Sequence, residues 1–215
     1  MTSKPIITGN RGWLAFIVIL LVIVSDQILK IWIKTHFYLG EEYKITEWFR
    51  LLFIENNGMA FGMEIGSKLV LTLLRIALVA ALIWYVVLIR NFKAVRTGYI
   101  VCLSLIIAGA AGNIIDCVFY GVIFNDPMPP AIAQLFPPGG GYGTWMLGKV
   151  VDMLYFPLFE FNWPSWIPGI GGEHFLFFQP VFNLADSAIT VGIIVLILFY
   201  SAQIASPSSY RNKEA

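Results

Sequence analysis

The sequence predicts an all-α polytopic membrane protein with four transmembrane helices, a small extracytoplasmic β-cradle and a long outer loop. Hydrophobic residues make up 58% of the 215-residue chain, and charged residues only 13%. A soluble domain carries about 25% charged residues, so this chain is not built to face water on all sides. The net charge of +1 gives no basic excess for nucleic acid. Lipid and membrane-bound molecules are therefore the expected partners.

Four apolar stretches are long enough to cross a bilayer, which takes about 20 residues per helix. The first could pass for a secretory signal because Lys4 and Arg11 precede it. Its apolar run is too long for the core of a signal peptide and has no small-residue cleavage site, so we expect it in the mature protein. The predicted spans are 12–33, 69–89, 98–116 and 181–202.

Lysines and arginines indicate which side each connection occupies. Lys149 is the only such residue of the 117–180 connection. The positive-inside rule therefore predicts that both termini and the 90–97 turn are cytoplasmic and that 34–68 and 117–180 lie outside. The seven residues that mark the cytoplasmic side are Lys4, Arg11, Arg90, Lys93, Arg96, Arg211 and Lys213.

The two outer segments differ in composition. Residues 34–68 mix aromatic and aliphatic side chains with charges in rough alternation, which predicts a strand-containing cradle at the membrane surface. Residues 117–180 are rich in proline and contain a run of three glycines and several tryptophans. This composition predicts an extended loop lying on the bilayer rather than a compact helix pair. The whole chain is expected to be one membrane-embedded domain.

Ionisable side chains inside a span are costly, so each is a candidate functional residue. At a rise of about 1.5 Å per residue, Asp26 lies about 22 Å above Arg11, and Asp116 lies about 30 Å above Arg96. Both therefore fall in the outer part of the membrane, and the helices are expected to turn their charges towards one another. The full set is Asp26, Lys30, Arg75, Asp116 and Asp186, with Asp152 just outside a span.

Spacing places several polar residues on shared helix faces. Asp26 and Lys30 are four residues apart and can form an ion pair. Asn113 with Asp116, and Asn183 with Asp186, are three apart. Taken alone, such pairs are more often polar clusters at helix ends than catalysts. Arg75 is interpreted as a cation that pairs with an acid or reaches the headgroups, with no chemical role.

Five motifs supply a further constraint. In chain order they are Ser25-Asp26-Gln27 with Lys30, Asn56-Asn57-Gly58-Met59-Ala60-Phe61-Gly62, Gly109-Ala110-Ala111-Gly112-Asn113-Ile114-Ile115-Asp116, Val150-Val151-Asp152 and Phe182-Asn183-Leu184-Ala185-Asp186-Ser187. In this order, on four helices, they resemble the lipoprotein signal peptidases (signal peptidase II). The resemblance covers nearly the whole chain apart from two stretches of loop.

The resemblance implies an aspartic endopeptidase of the bacterial inner membrane whose catalytic dyad is Asp152 and Asp186. It implies that the substrate is a diacylglyceryl-modified prolipoprotein, cut just before the lipidated cysteine. Membrane lipid is an expected partner, and the chain is expected to be a monomer. The residues that match supporting or substrate-binding positions are Asp26, Lys30, Asn56, Gly109, Asn113, Asp116, Asn183 and Ala185.

Two features depart from the family pattern. Cys117 stands where arginine usually follows the motif's aspartate, and Arg75 is one candidate to replace that arginine beside Asp116. The spacings on either side of Asp152 are also longer than usual. The extra residues, roughly 121–148 and 157–178, are expected to enlarge the outer loops.

Two carboxylates that share one proton can activate water and protonate a carbonyl oxygen. Asp186 lies close to a helix N-terminus, which favours its ionised form. No metal or cofactor is expected, because the histidines, His36 and His174, form no metal-binding helix motif.

The alternative from another class is a small proton- or ion-coupled transporter. It predicts polar residues across the whole membrane, whereas the inner helix halves, such as 14–21 and 193–199, are apolar. A scaffold with partner-binding loops would leave the acidic cluster unexplained.

Overall fold

A computed structural model of the chain describes residues 11–57 and 68–205. Within these residues, four helices are long and apolar enough to cross a bilayer. A helix satisfies its own backbone hydrogen bonds, which hydrocarbon cannot do, so long apolar runs become helices there. They are α1 Arg11–His36, α2 Lys68–Ile89, α3 Thr97–Ile123 and α4 Leu184–Ala205.

Helix α3 lies at the centre of the bundle and packs against the other three. Small residues let α4 approach it closely. A methyl group added at Gly109 would lie 2.2 Å from the carbonyl oxygen of Ala185. On α4, a methyl group at Gly192 would lie 2.9 Å from the carbonyl oxygen of Cys102. Backbone proximity of this kind substitutes for a hydrophobic driving force between helices in lipid.

Two helix ends differ from the sequence prediction. The third span was expected to end at Asp116, but α3 continues through a π-helical turn, Asp116–Tyr120, and a last turn, Gly121–Ile123. The fourth span was expected to begin at residue 181, but Val181–Phe182 form a strand and the helix starts at Leu184. The sequence stays apolar across both of these positions, so hydropathy alone could not predict where α3 ends or where α4 begins.

A four-stranded antiparallel sheet covers one end of the bundle. In spatial order its strands are β1 Glu42–Lys44, β2 Arg50–Asn56, β3 Val150–Tyr155 and β6 Val181–Phe182. Two strands come from residues 34–68 and two from the segment between α3 and α4, so the all-α label describes only the membrane part of the fold. The prediction placed strands only in 34–68. It interpreted 117–180 as loop, which missed β3, and it assigned residues 181–182 to the fourth span, which missed β6.

A second hydrophobic core joins this sheet to the helices. It includes Ile33 of α1, Phe53 of β2, Tyr120 of α3 and Met153 of β3, all at most 2% exposed. Alternation along β3 buries Met153 against this core. The same strand carries Asp152, so burial of the sheet fixes the position of that carboxylate.

Strands β4 Phe159–Asn162 and β5 His174–Phe177 form a separate antiparallel hairpin. It occupies much of the expected insertion at 157–178. Residues 58–62 of the second motif lie outside the described residues, as do Lys4, Arg211 and Lys213. The single-domain organisation stays a prediction.

Candidate active site

Lys30 is the centre of a buried polar network between α1 and α3. Its Nζ lies 2.9 Å from Oδ2 of Asp26 and 2.7 Å from Oδ2 of Asp116. It also donates to Oδ1 of Asn113 at 2.8 Å. Lys30, Asp26 and Asp116 are fully buried. Three oxygen partners compensate for the loss of water around the ammonium group, which a buried charge requires.

Asp116 connects this network to the sheet. Gln27 donates to its Oδ1 at 2.9 Å, and the backbone N–H of Val151 donates to its Oδ2 at 3.3 Å. Tyr120 in turn donates to Oε1 of Gln27 at 3.1 Å. Because Val151 precedes Asp152, the Asp116 carboxylate holds the strand that carries a candidate catalytic residue.

Two side chains cap the N-terminus of α4. Oδ1 of Asn183 accepts the backbone N–H of Asp186, three residues later, at 2.9 Å. Oδ1 of Asp26 accepts the backbone N–H of Ala185 at 2.9 Å. The first N–H groups of a helix have no partner within the helix, and side-chain oxygens commonly satisfy them. Asp26, which also pairs with Lys30 of its own helix, therefore links α1 directly to the beginning of α4.

The Asp186 carboxylate is oriented from the same network. Nδ2 of Asn113 donates to its Oδ1 at 2.7 Å. Lys30 can only donate, so its bond to Oδ1 of Asn113 directs the amide nitrogen towards Asp186. Asp186 is partly exposed, whereas Asp26 and Asp116 are enclosed. Among residues 11–57 and 68–205, no hydrogen-bond donor contacts Oδ2 of Asp186.

Asp152 is 2% exposed and lies at the junction of β2, β3 and α4. Nδ2 of Asn183 donates to its Oδ1 at 2.6 Å, and the Asn56 amide donates to its Oδ2. Burial, and after it the negative charge of Asp186, raise the pKa of Asp152 to about 7. The two amide donors favour the ionised form and oppose this shift, but burial outweighs them.

The structure thus brings the predicted site residues into one network, and it changes one assignment. Arg75 was the candidate to replace the family arginine beside Asp116, but the cation on Asp116 is Lys30. Nη1 of Arg75 lies 3.7 Å from Sγ of Cys117. Cys117 is buried, and it lies in the π-helical turn of α3.

Sequence reasoning missed Gln27 as a site residue. It lies next to Asp26 in the first motif, and its Nε2 donates to Oδ2 of Asp26 at 3.2 Å. The same amide nitrogen reaches α3, where it donates to Gly112 O at 3.2 Å and to Asp116. A polar side chain in an otherwise apolar span was the available signal.

A second buried ionic cluster beside the site was also missed. Lys34, 1% exposed, forms an ion pair with Glu55, the residue before Asn56. Nζ of Lys149 lies 3.3 Å from Oε2 of Glu55 and 2.6 Å from Oδ2 of Asp126. Four separate positions in the sequence supply these charges, so no local spacing indicates the cluster.

A shallow apolar cavity of about 350 Å³ opens between α1 and α4, next to the capped helix end. Ser25 precedes Asp26 at its edge, and Ser187 follows Asp186. The apolar lining residues are Leu21, Val22, Leu105, Leu184, Ala188 and Val191.

The chain is similar to proteins of known activity. A family model described as signal peptidase (SPase) II matches residues 18–202. A lipoprotein signal peptidase of Porphyromonas gingivalis is 50% identical over 190 residues, which are 88% of this chain and 84% of that protein. One of Amoebophilus asiaticus is 35% identical over 204 residues, 92% of this chain and 82% of that protein.

Two solved structures of bacterial membrane enzymes, obtained by the in meso method at 2.3 and 1.9 Å resolution, share the fold. The first has a TM-score of 0.60 at 23% identity and covers 97% of this chain and 95% of its own. The second has a TM-score of 0.57 at 24% identity and covers 92% and 96%.

Proposed function

Because the chain belongs to the signal peptidase II family, we propose that Asp152 and Asp186 are the catalytic dyad of an aspartic endopeptidase. The chain is a membrane protease that removes signal peptides from prolipoproteins. In the proposed reaction it cuts the bond before a diacylglyceryl-modified cysteine.

One observation carries the choice of aspartates. Asp26 and Asp116 are fully buried and pair with Lys30, whereas Asp186 is partly exposed and reaches the surface of the network. Asn183 connects Asp186 to Asp152 through its two amide atoms. The carboxylates in contact with Lys30 therefore support the site, and the two joined by Asn183 perform the chemistry.

In the proposed dyad, Asp152 is the carboxyl group that favours the shared proton. Its pKa of about 7 keeps it largely protonated below neutral pH. Asp186 lies in the first turn of α4, where the helix dipole favours an anion. As in other carboxylate pairs, the proton belongs to the two groups together.

Hydrolysis then needs no cofactor. Ionised Asp186 takes a proton from a water molecule while the water oxygen attacks the scissile carbonyl carbon. Asp152 donates its proton to the carbonyl oxygen, which gives a tetrahedral diol. When this intermediate collapses, the C–N bond breaks, the leaving nitrogen receives the proton held by Asp186, and Asp152 recovers its proton from the diol.

The position of the site suits a lipidated substrate. Arg11 donates to Phe92 O at 3.3 Å, so the start of α1 and the basic 90–97 turn lie at one end of the bundle. The carboxylates lie towards the opposite end, which the positive-inside rule makes extracytoplasmic. A diacylglyceryl group would hold its cysteine at that headgroup boundary, and the cavity between α1 and α4 would receive an acyl chain. The protein is proposed to work as a monomer.

The transporter alternative gains no support. The intramembrane acids of α1 and α3 both pair with Lys30 and form no row of polar groups across the membrane among the described residues. The inner core is formed by apolar residues, including Val86, Ile100 and Leu196.

The decisive experiment measures signal-peptide release from a diacylglyceryl-modified prolipoprotein by the purified full chain in lipid. Asp152→Asn and Asp186→Asn should each lower kcat by about 10³-fold or more. Asp126→Asn is the matched control because this exposed aspartate binds Lys149 outside the network. Cleavage at the parental rate by Asp186→Asn would refute the mechanism. An unchanged rate in Asp152→Asn would remove that residue from the dyad and make Asp116 the next candidate.

A further inference from the structure

The β4–β5 hairpin has two chemically different faces. Cross-strand pairs Phe159 with Phe177 and Phe161 with Phe175 lie on one face, with ring centroids 4.7 and 5.1 Å apart. Trp163 extends this aromatic face, 5.0 Å from Phe161. Side chains alternate along a strand, so the residues between them point to the opposite side.

The opposite face is largely polar. It carries Glu160, Asn162 and His174 together with one aliphatic residue, Leu176. Nε2 of His174 lies 3.4 Å from Oε2 of Glu160, and both side chains are more than half exposed. A hairpin packed onto a protein core would bury its aromatic face, but Phe159 is 52% exposed and Phe177 is 43% exposed.

A second row of aromatic rings begins at Phe178, directly after β5, and leads to Phe182, just before α4. Phe178 contacts Phe182 edge to face at 6.0 Å, and Phe182 stacks on Phe156 at 5.6 Å. Phe156 stacks on Phe49 at 4.8 Å, at the edge of the cradle sheet. Phe182 is two residues before the first residue of α4, so this row of rings lies at the outer end of a span.

We propose that the aromatic face of the β4–β5 hairpin lies on the outer-leaflet lipid surface, at the boundary between headgroups and acyl chains. This inference goes beyond the peptidase activity. Aromatic rings are enriched at that boundary because they combine apolar area with a tolerance for polar surroundings. An uncovered apolar patch rimmed by polar groups marks a contact surface. Phe178, directly after β5, contacts Phe182 just before α4, so the lipid around the outer end of that span is within reach of the hairpin and is the proposed occupant.

The charge distribution defines the kind of lipid surface. Residues 157–180 contain no lysine or arginine, and their charged groups are Glu160, Glu173 and His174. Contact therefore relies on apolar burial rather than on attraction to anionic headgroups. A zwitterionic phosphatidylcholine surface should be sufficient.

Spin labels on neighbouring residues test the proposal. Glu160→Cys and Phe161→Cys occupy opposite faces of β4, and His174→Cys and Phe175→Cys do the same on β5. Each variant of the full chain is labelled with a nitroxide and reconstituted in phosphatidylcholine vesicles. Collision rates are then measured with oxygen, which concentrates in lipid, and with a water-soluble nickel chelate.

The labels at 161 and 175 should show an oxygen-to-nickel collision ratio several-fold higher than the labels at 160 and 174. Equal ratios on the two faces would overturn the proposal. Protection of the 161 and 175 labels that appears only after adding a prolipoprotein would also overturn it and would assign the face to substrate. The parental chain is the background control, because its cysteines, Cys102 and Cys117, are both buried.

The collision ratios do not depend on catalysis. If the hairpin contacts lipid but the dyad variants retain cleavage, the lipid contact stands and the proposed dyad fails. The β5 pair provides an independent measurement if substitution of Phe161 disturbs β4.

Discussion

Asn183 donates through Nδ2 to Oδ1 of Asp152 at 2.6 Å, and its own Oδ1 accepts the backbone N–H of Asp186 at 2.9 Å. One side chain thus sets the positions of both proposed catalytic residues. We expect Asn183→Ala to lower kcat by about 10²-fold, since small misplacement of reacting groups has effects of that size. Loss of the helix cap should lower stability by about 1 kcal/mol.

Rates from signal-peptide release and unfolding curves in detergent measure the two effects separately. A variant that loses the cap stability yet retains full kcat would show that Asn183 has only a structural role.

The activity should fall above neutral pH. Asp152 must be protonated to donate to the carbonyl oxygen, and its pKa is about 7. As the pH rises through this value the proton is lost, so the upper limb of kcat/KM against pH should have its midpoint near 7.

Asn56 donates to Asp152 and stabilises its ionised form. Asn56→Ala should therefore raise the pKa of Asp152 and move the upper limb to higher pH. Asn57→Ala is the neighbouring control, since Asn57 instead accepts a hydrogen bond from Lys68 at 3.1 Å. A limb that stays in place or moves to lower pH in Asn56→Ala contradicts the assignment of the proton.

Removal of the buried Lys30 cation should lower the stability of the protein far more than removal of an exposed cation. Lys30→Met leaves the carboxylates of Asp26 and Asp116 buried without their shared partner. Breaking a buried ion pair in this way costs about 3–5 kcal/mol. Lys44→Met, which removes an exposed pair with Glu47, should leave the stability almost unchanged.

Thermal unfolding in detergent measures both changes. Adding Asp116→Asn to Lys30→Met should restore part of the stability because one unpaired charge disappears. A double variant that is less stable than Lys30→Met would contradict this account of the network.

Glu55 should stabilise the attachment of the sheet to α1. Its carboxylate contacts Lys34 of α1 and Lys149 before β3, and its neighbour Asn56 contacts Asp152. We expect Glu55→Gln to lower the free energy of unfolding by about 3 kcal/mol, because it leaves Lys34 buried without its anion. Lys149→Met should have a smaller effect because Lys149 is partly exposed. Equal stabilities of the two variants, measured by unfolding, would disprove this ranking.

The cavity between α1 and α4 should determine affinity for the lipid part of the substrate. Val191 lines it, and Val191→Trp should raise KM for a diacylglyceryl-modified prolipoprotein with little change in kcat. Ile197→Trp is the matched control, since Ile197 is a comparably exposed β-branched residue of α4 outside the cavity. The same KM in both variants would place the acyl chains elsewhere.

The sequence predicted the four apolar spans and the charged residues of the polar network, but not Gln27 or Tyr120. Each span is a local property, because about 20 apolar residues satisfy the length of the bilayer without help from the rest of the chain. The polar residues were conspicuous for a related reason: a charge such as Lys30 or Asp116 inside a span needs a compensating partner.

Strand pairing in the long outer segment could not be predicted in this way. Val150–Tyr155 pairs with β2, almost a hundred residues earlier, and its proline- and glycine-rich surroundings have no local strand signal. The partner of Asp116 was equally hidden, since both Arg75 and Lys30 lay at a suitable depth and only the packing of α1 on α3 selects Lys30.

The sequence by itself determined that the chain has four spans and that its acids gather near one end, because length and hydropathy act residue by residue. Only the tertiary structure decided which partner each acid has. Lys30 pairs with Asp26 and Asp116, while Asn183 joins Asp152 to Asp186. The physical reason is that pairing and burial depend on which helices and strands meet, and such contacts between distant segments are absent from local spacing.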